Sequence, residues 1–322
     1  MTGRFAWLRV GVALALLATL PFVLAPYPLK LAASILAFAL LVVSVDLLTG
    51  LTGLPSLGQI AYFGVGAYTA GLVGIHVTDS AVVQLLAGVA LAAVVAVVTG
   101  SVAVRTSGII FLMVTLAIGE LTHQLADELD VTGGSNGLAG IPPVTIVPGS
   151  DEWGLPLLVT AYWWVLIVFG IGLAAAIVVS RSPLGRSMRG VREAESRMAS
   201  YGQRSYFTKL AAFTFAGALA GAAGTAWTAQ ARFVSPGDLA FSISAIALLS
   251  VVLGGAGTLW GPIVGAAVVV LTRDYLSGYV AGSGDLLLGL LFVAAVYFLP
   301  RGIAGIRVPR RAGRRSGTEV AA

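Results

Sequence analysis

The chain has 322 residues, of which 58% are hydrophobic and only 10% are charged, and its formal net charge is +5. A soluble globular domain carries about 25% charged residues, so this composition excludes an ordinary soluble domain and predicts a membrane protein. The sequence contains no cysteine, which excludes disulfides, thiol nucleophiles and thiolate metal sites.

The apolar segments, taken in chain order, predict an all-α polytopic membrane protein with about ten transmembrane or re-entrant helices, since a crossing takes roughly 20 apolar residues. They cover residues 7–26, 30–49, 57–76, 82–104, 108–126, 159–180, 208–229, 241–255, 259–277 and 284–300. The segment at 241–255 is short and runs into GGAGTLWGP, which favours a broken or re-entrant helix. We expect one membrane domain over 1–322, because loops 127–158 and 181–207 are too short to form a separate catalytic domain.

The basic residues give the orientation of these spans. All lysines and arginines except Lys30, Arg232 and Arg273 fall on the side that holds both termini and the 181–207 loop. Basic loops stay in the cytoplasm, so both termini are predicted to be cytoplasmic and the 127–158 loop external. The basic tail 301–322 then anchors the topology near anionic lipid, and the positive charge needs no nucleic-acid partner.

The stretch TGLTGLPSLGQ contains Gly50, Gly53, Pro55 and Gly58 and predicts a break or bend in a helix near the membrane. Non-helical backbone is tolerated there only where it is buried in protein or lines a water-filled cavity. Gln59 is therefore a candidate residue of a substrate pathway. A tight cytoplasmic turn between two spans is the alternative interpretation.

Small residues on the helix that follows are spaced about one turn apart. Such a strip lets a second membrane helix approach closely, so we predict a packing role for it. Its members are Gly64, Gly66, Ala70, Gly71 and Gly74. A phosphate-binding loop is the weaker interpretation, because no Lys or Ser/Thr follows in the pattern that holds nucleotide.

Three ionisable residues, Asp46, Glu120 and His123, fall within or near predicted spans. Such groups are costly in lipid and are candidates for a pathway, with structural or interfacial placement as the alternative. Glu120 and His123 are three residues apart on one helical face and can pair. The sequence shows no catalytic or metal-binding constellation and no Walker motif, so we expect neither an enzyme nor a cofactor.

Four stretches of the sequence, taken together, carry a resemblance to a known family. They are SLGQIAYFGVGAYTAGL at 56–72, TGGSNGLAGIP at 132–142, SPLGRSMRGVREAESRMASYGQ at 182–203 and FVSPGDLAFSISAIALLSVVLGGAGTLWGPIVGA at 233–266. In this order they resemble permease subunits of branched-chain amino-acid ABC transporters, the LivM-like branch. One departure is SRMASY before Gly202, where the family has a small aliphatic run. This departure leaves the particular ATPase partner open more than the fold.

The resemblance implies a permease subunit of an ABC importer in a bacterial plasma (inner) membrane. It also implies a second homologous permease, two cytoplasmic ATP-binding cassette subunits and an extracytoplasmic substrate-binding protein as partners, beside the lipid bilayer. The alternatives are an ion-coupled secondary transporter, using Asp46 or Glu120, and a same-family importer of urea or short amides.

The resemblance also assigns two loops. The external loop is expected at the docking face of the binding protein or at an external gate, through Gly133, Gly134, Asn136 and Gly137. The cytoplasmic segment is expected to form a coupling helix that ends at Gly202 and inserts into the ATPase. Its contact residues are Arg189, Arg192, Glu193, Glu195, Arg197 and Gly202. The alternative for this segment is a charged determinant of topology only.

Overall fold

A computed structural model describes residues 15–145, 157–200 and 202–276, together with residues 11, 289–290, 292–293, 297 and 302–305. The helices in this part of the chain are α1 (Pro26–Asp46), α2 (Gln59–His76), α3 (Ala81–Ala103), α4 (Gly108–Glu128), α5 (Leu157–Arg181), α6 (Pro183–Ser200), α7 (Ser205–Ala231), α8 (Phe241–Gly254) and α9 (Trp260–Val270). Shorter elements are a helical turn at Leu20–Val23, π-helical turns at Leu47–Thr52 and Leu271–Leu276, and 3₁₀ turns at Asp130–Thr132, Gly134–Asn136, Pro236–Leu239 and Ile303–Gly305.

The prediction of an all-α polytopic fold is confirmed, because the described residues form helices joined by loops and turns, with isolated bridges but no β-strand. In the same part of the chain, five helices are long and apolar enough to cross a membrane: α1 with its π-helical continuation, α3, α4, α5 and α7. Residues 7–10 and 12–14 of the predicted span 7–26, most of the predicted span 284–300, most of the tail 301–322, and residues 146–156 lie outside the described residues.

Helix α7 is the centre of the packing and contacts α1, α2, α3 and α5. Its sequence is rich in Gly and Ala, so neighbouring backbones come close. A Cβ at Gly221 would overlap Ala92 of α3, and a Cβ at Gly224 would overlap the Phe63 carbonyl of α2. The smallest residues therefore stand where helices approach most closely, as in other membrane bundles.

Helix α3 has two different faces. Small residues repeat every fourth position along its buried face, namely Gly88, Ala92, Ala96 and Gly100. Large apolar residues such as Leu91, Val94 and Val98 are exposed on the remainder. An apolar exposed face opposite a small packing face is what a helix at the lipid boundary requires.

Helix α1 does not run directly into α2. The chain continues from α1 as the π-helical turn, reverses at Gly53 with φ 75°, and then passes through a non-helical segment in which Leu54 and Ser56 are buried. The Leu57 N–H donates to Thr115 Oγ1 at 3.3 Å. The Gly- and Pro-rich stretch thus breaks the helix in a segment that is largely buried in the protein.

Helices α8 and α9 form an antiparallel pair, in which Gly254 meets Gly261 and Gly265 meets the Ser250 carbonyl. The 14 residues of α8 span about 21 Å at 1.5 Å per residue. A bilayer core is about 30 Å thick. The segment predicted at 241–255 is therefore too short to cross the membrane by itself, as its length in the sequence indicates.

Candidate functional site

A cavity of about 290 Å³ lies where α1, α2, α7, α8, α9 and the turn Pro236–Leu239 meet. Its wall is aromatic and aliphatic on one side, where Phe63 and Trp227 pack with ring centroids 6.4 Å apart. We call it the aromatic cavity and define it by Phe38, Phe63, Trp227, Ile246, Asp238 and Arg273. It combines apolar walls with one acidic and one basic side chain.

The acidic residue of the aromatic cavity, Asp238, is held by a capping turn. Asp238 Oδ2 accepts hydrogen bonds from the Ser235 N–H at 2.9 Å and the Ser235 hydroxyl at 3.2 Å. Burial raises the pKa of Asp238, and the two bonds from Ser235 oppose that rise. The other carboxylate oxygen, Oδ1, accepts no hydrogen bond from the residues that the structure describes.

The basic residue of the aromatic cavity, Arg273, lies on the π-helical turn that continues α9. The Arg273 side chain is exposed. Within the described ranges, no carboxylate lies within 4.0 Å of its guanidinium. Asp238 and Arg273 therefore line one cavity without neutralising each other.

A second polar site surrounds Asp46 at the end of α1. The Asp46 side chain is fully buried, and its carboxylate accepts the N–H groups of Gly257 at 2.6 Å and Leu259 at 3.2 Å. Both donors belong to the α8–α9 loop, immediately before α9 begins at Trp260. A carboxylate at a helix N-terminus is stabilised by the free N–H groups and the helix dipole.

The loop that Asp46 holds has an unusual backbone. Gly257 has φ 84° and Leu259 has φ 60°, and a non-glycine residue in this left-handed region costs roughly 1–2 kcal/mol. The hydrogen bonds from both residues to one buried carboxylate offset that cost. Asp46 is therefore an anchor of the α8–α9 loop.

Helix α6 is hydrogen-bonded to the backbone next to Asp46, at the broken end of α1. The Arg192 guanidinium donates to the Gly50 carbonyl in the π-helical end of α1. A Cβ at Gly50 would overlap both the Asp46 carboxylate and the Gly257 backbone. We call Asp46, Gly50, Arg192, Gly257 and Leu259 the Asp46 cluster. It joins α6, the broken end of α1 and the α8–α9 loop.

The two faces of α6 differ in character. Met188 and Val191 are buried, whereas Arg189, Glu193 and Arg197 are exposed. The helix is interrupted at Ala194, where φ is −162° and ψ is 89°.

Some of the side chains predicted for ATPase contact are engaged within the chain. Glu195 Oε1 lies 2.6 Å from the Nζ of Lys209 on α7, and Arg192 binds Gly50. Gly202 follows the end of α6 with φ 78°, the left-handed conformation expected after a helix. The other predicted contact residues, Arg189, Glu193 and Arg197, lie on the exposed face of α6.

The predicted pathway residues do not line the aromatic cavity. Gln59 begins α2 and is buried, and neither atom of its amide has a hydrogen-bond partner among the described residues. Glu120 and His123 are neighbours, with His123 Nδ1 4.0 Å from Glu120 Oε1. The structure brings this pair together on α4, and it places the Asp46 carboxylate against the α8–α9 loop.

The small strip of α2 lies against neighbouring elements. A Cβ at Gly66 would overlap the Gly221 backbone of α7, and one at Gly64 would overlap the Leu239 side chain. The other members of the strip are also buried: Ala70, Gly71 and Gly74.

The glycine-rich loop after α4 is bound to the segment that leads to Asp238. Leu138 and Val234 exchange backbone hydrogen bonds of 2.7 and 3.2 Å. Positive φ angles occur at Gly133, Gly134 and Gly137. Asn136 is exposed. The loop therefore lies beside the turn that carries one charge of the aromatic cavity.

Sequence reasoning did not select Asp238, Trp227 or Arg273 as site residues. Two signals were present. Ser235 and Asp238 have the spacing of a capping box, and Arg273 is one of the few basic residues on the predicted external side.

The chain is similar in sequence to known proteins. The sequence model of the family described as "Branched-chain amino acid transport system / permease component" matches residues 27–296. The high-affinity branched-chain amino acid transport system permease protein LivM of Escherichia coli (strain K12) is 30% identical over 310 residues, covering 90% of this chain and 73% of that protein. The protein of the same name from Salmonella typhimurium (strain LT2) is 29% identical over 324 residues, covering 93% of this chain and 76% of that protein. No solved structure matches the chain. The similarities confirm the resemblance seen in the sequence.

Proposed function

We propose, from the premise that the chain belongs to the family of branched-chain amino acid transport permease components, that it is the membrane-spanning subunit of an ATP-driven importer. Its substrates are branched-chain or related small amino acids. It works with a second homologous permease, two cytoplasmic ATPases and an extracytoplasmic binding protein. It lies in a bacterial plasma (inner) membrane with both termini in the cytoplasm, in accord with the distribution of basic residues.

The observation that supports this proposal most is the placement of α6. Its buried face packs on the membrane helices, and its exposed face presents Arg189, Glu193 and Arg197. Charged side chains on an exposed helix face provide charge-assisted hydrogen bonds to a partner groove. An ATPase that holds this face can move α6, and the Arg192–Gly50 hydrogen bond carries the movement to the Asp46 cluster.

The Asp46 cluster is placed to transmit such a movement. Helices α1, α8 and α9 line the aromatic cavity, and all three begin or end at the cluster. Phe38 precedes Asp46 by eight residues, and Ile246 precedes Gly254 by eight, which is about 12 Å along each helix. A displacement at the cluster therefore changes the positions of the cavity walls, as alternating access requires.

An ion-coupled secondary transporter is the competing function. It needs an ionisable group that is free to exchange a proton or bind an ion. Asp46 is occupied by two backbone N–H groups, and Glu120 is half exposed on α4. Neither side chain lines the aromatic cavity, which favours an importer driven by a separate motor.

Reconstitution tests the proposal. The chain is purified with the ATPase, second-permease and binding-protein subunits encoded beside it and placed in liposomes. We expect ATP-dependent uptake of leucine, isoleucine or valine by the whole complex, and neither uptake nor ATP hydrolysis by the chain alone. Leucine uptake by the chain alone under an ion gradient would identify a secondary transporter. Preferential uptake of urea or acetamide by the complex would refute the substrate assignment.

A further inference from the structure

We propose that the aromatic cavity binds one zwitterionic amino acid with a short aliphatic side chain. The ammonium group faces Asp238 and the carboxylate faces Arg273. This inference rests on the proposed function, and it gives that function a binding site within this chain.

The size of the cavity suits a single small molecule. At about 290 Å³ it stands at the lower end of the range of roughly 300–1,000 Å³ for ligand pockets. A free amino acid with a branched aliphatic side chain fits such a volume.

The charges suit a zwitterion. Asp238 Oδ1 and the Arg273 guanidinium have no partner among the described residues. Asp238 is partly buried, where an unpaired charge is costly, and the exposed Arg273 adds a cation at the same cavity. A ligand with both an ammonium group and a carboxylate pairs the two protein charges at once, whereas a ligand with one charge leaves the other protein group unpaired.

The position of Arg273 requires an explanation beyond topology. It belongs to the few basic residues on the predicted external side, where the charge bias of membrane proteins disfavours them. It also lies on a π-helical turn, and such turns occur frequently at functional sites. A ligand carboxylate accounts for both features.

The aromatic and aliphatic walls suit the ligand's side chain. Phe38, Phe63 and Ile246 offer an apolar surface. The Trp227 indole N–H is buried and has no acceptor in the part of the chain that the structure describes, and unpaired buried donors are rare. The Trp227 ring also lines the cavity and extends its apolar surface.

A second cavity has apolar walls without the two opposite charges of the aromatic cavity. It measures about 250 Å³, lies between α3, α5 and α7, and is lined by aliphatic residues and Phe215 with no charged side chain. Such a groove suits a lipid chain. The aromatic cavity differs from it by carrying two charges of opposite sign.

Cysteine protection tests the inference directly, because the natural chain contains no cysteine. The full chain with Ile246→Cys is purified, and its modification by a small methanethiosulfonate reagent is timed with and without L-leucine. We expect saturating leucine to slow modification about tenfold, and leucinamide or 4-methylpentanoate, which each lack one charge, to slow it less than about twofold. Asn136→Cys, exposed on the loop after α4, is the matched control and should be modified at a rate that leucine does not change.

Charge variants in the Ile246→Cys chain separate binding from folding. Arg273→Gln should abolish the preference for leucine over leucinamide, and Arg273→Lys should retain part of it. Asp238→Asn should abolish the preference for leucine over 4-methylpentanoate, since Asn still accepts the Ser235 N–H but no longer pairs with an ammonium group. A purely structural role predicts that both variants keep both preferences.

Failure of this inference can be distinguished from failure of the proposed function, because protection needs no ATPase. Absence of protection by leucine, in a chain whose Asn136→Cys control reacts normally, overturns the inference even when the reconstituted complex imports leucine. Equal protection by leucine and leucinamide overturns it too. Protection by leucine without ATP-driven import supports the binding site and refutes the proposed function.

Discussion

Helices α1, α8 and α9 meet the Asp46 cluster on one side and the aromatic cavity on the other, and the two sites differ in whether their charged groups are paired. At the Asp46 cluster, the carboxylate accepts two backbone N–H groups and the nearby Arg192 donates to a carbonyl. At the aromatic cavity, Asp238 keeps one free oxygen and Arg273 has no acidic partner in the described part of the chain. The paired groups suit the first end to hold helices together, and the charges left open at the cavity suit the second end to receive a ligand.

The largest effect is expected at Gly50. In Gly50→Ala the added Cβ overlaps the Asp46 carboxylate and the Gly257 backbone, and neither can move without opening the cluster. We expect destabilisation by more than about 3 kcal/mol, seen as loss of the monodisperse peak in size-exclusion chromatography. Gly119→Ala is the control, since its Cβ would come no closer than 3.5 Å to any neighbour. Equal recovery of the two variants would show that the cluster is not tightly packed.

Asp46→Asn tests how much the charge contributes at the Asp46 cluster, because it removes the charge and keeps the size of the side chain. Hydrogen bonds to a charged group contribute roughly 1.5–3 kcal/mol, and Asn offers a single neutral acceptor to two N–H donors. We therefore expect a clear fall in the thermal midpoint of the purified chain. Ser44→Ala on the same helix removes only a local bond to the Leu41 carbonyl and should have little effect. A midpoint for Asp46→Asn equal to that of Ser44→Ala would refute the anchoring role.

The fold was predictable from sequence where the signal is local. The apolar run at 82–104 became α3 (Ala81–Ala103) and the run at 159–180 became α5 (Leu157–Arg181), because about 20 apolar residues define a span without reference to the rest of the chain. The glycine spacing of α2 likewise indicated a packing face.

The site was not predictable in the same way. Asp46 and its donor Gly257 are 211 residues apart, and the donor is a backbone N–H that no residue type reveals. An ionisable residue in a span therefore suggested a pathway, and the two backbone donors to the Asp46 carboxylate could not be foreseen. Asp238 and Arg273 reach the aromatic cavity from separate elements, and only the tertiary packing brings them together.

Variants at Arg192 and Arg189 distinguish two roles of α6, since Arg192 contacts Gly50 within the chain and Arg189 lies on the exposed face. Arg192→Ala removes the bond to Gly50, so we expect the complex to hydrolyse ATP with uptake reduced by about tenfold or more. Arg189→Ala changes the exposed face and should instead lower recovery of the ATPase with the permease. Identical losses of uptake and ATPase recovery in both variants would contradict the division of roles.

The smallest effect is expected at the ion pair between α6 and α7. Glu195→Ala leaves the buried Lys209 without its partner, and we expect a loss of about 1 kcal/mol because Glu195 is half exposed. Adding Lys209→Met should restore the thermal midpoint, since an apolar side chain needs no partner. A double variant that is less stable than Glu195→Ala alone would show that Lys209 has another essential contact.

The most direct test of the link between the two ends measures the aromatic cavity while the Asp46 cluster is altered. In the reconstituted complex, the modification rate of Ile246→Cys is compared in the nucleotide-free state and after trapping with ATP and vanadate. We predict that the two rates differ by about tenfold when Arg192 is present and by less than about twofold in Arg192→Ala, with ATP hydrolysis retained. The same tenfold difference in both backgrounds would contradict the account, because the cavity would then respond to nucleotide without the Arg192–Gly50 contact.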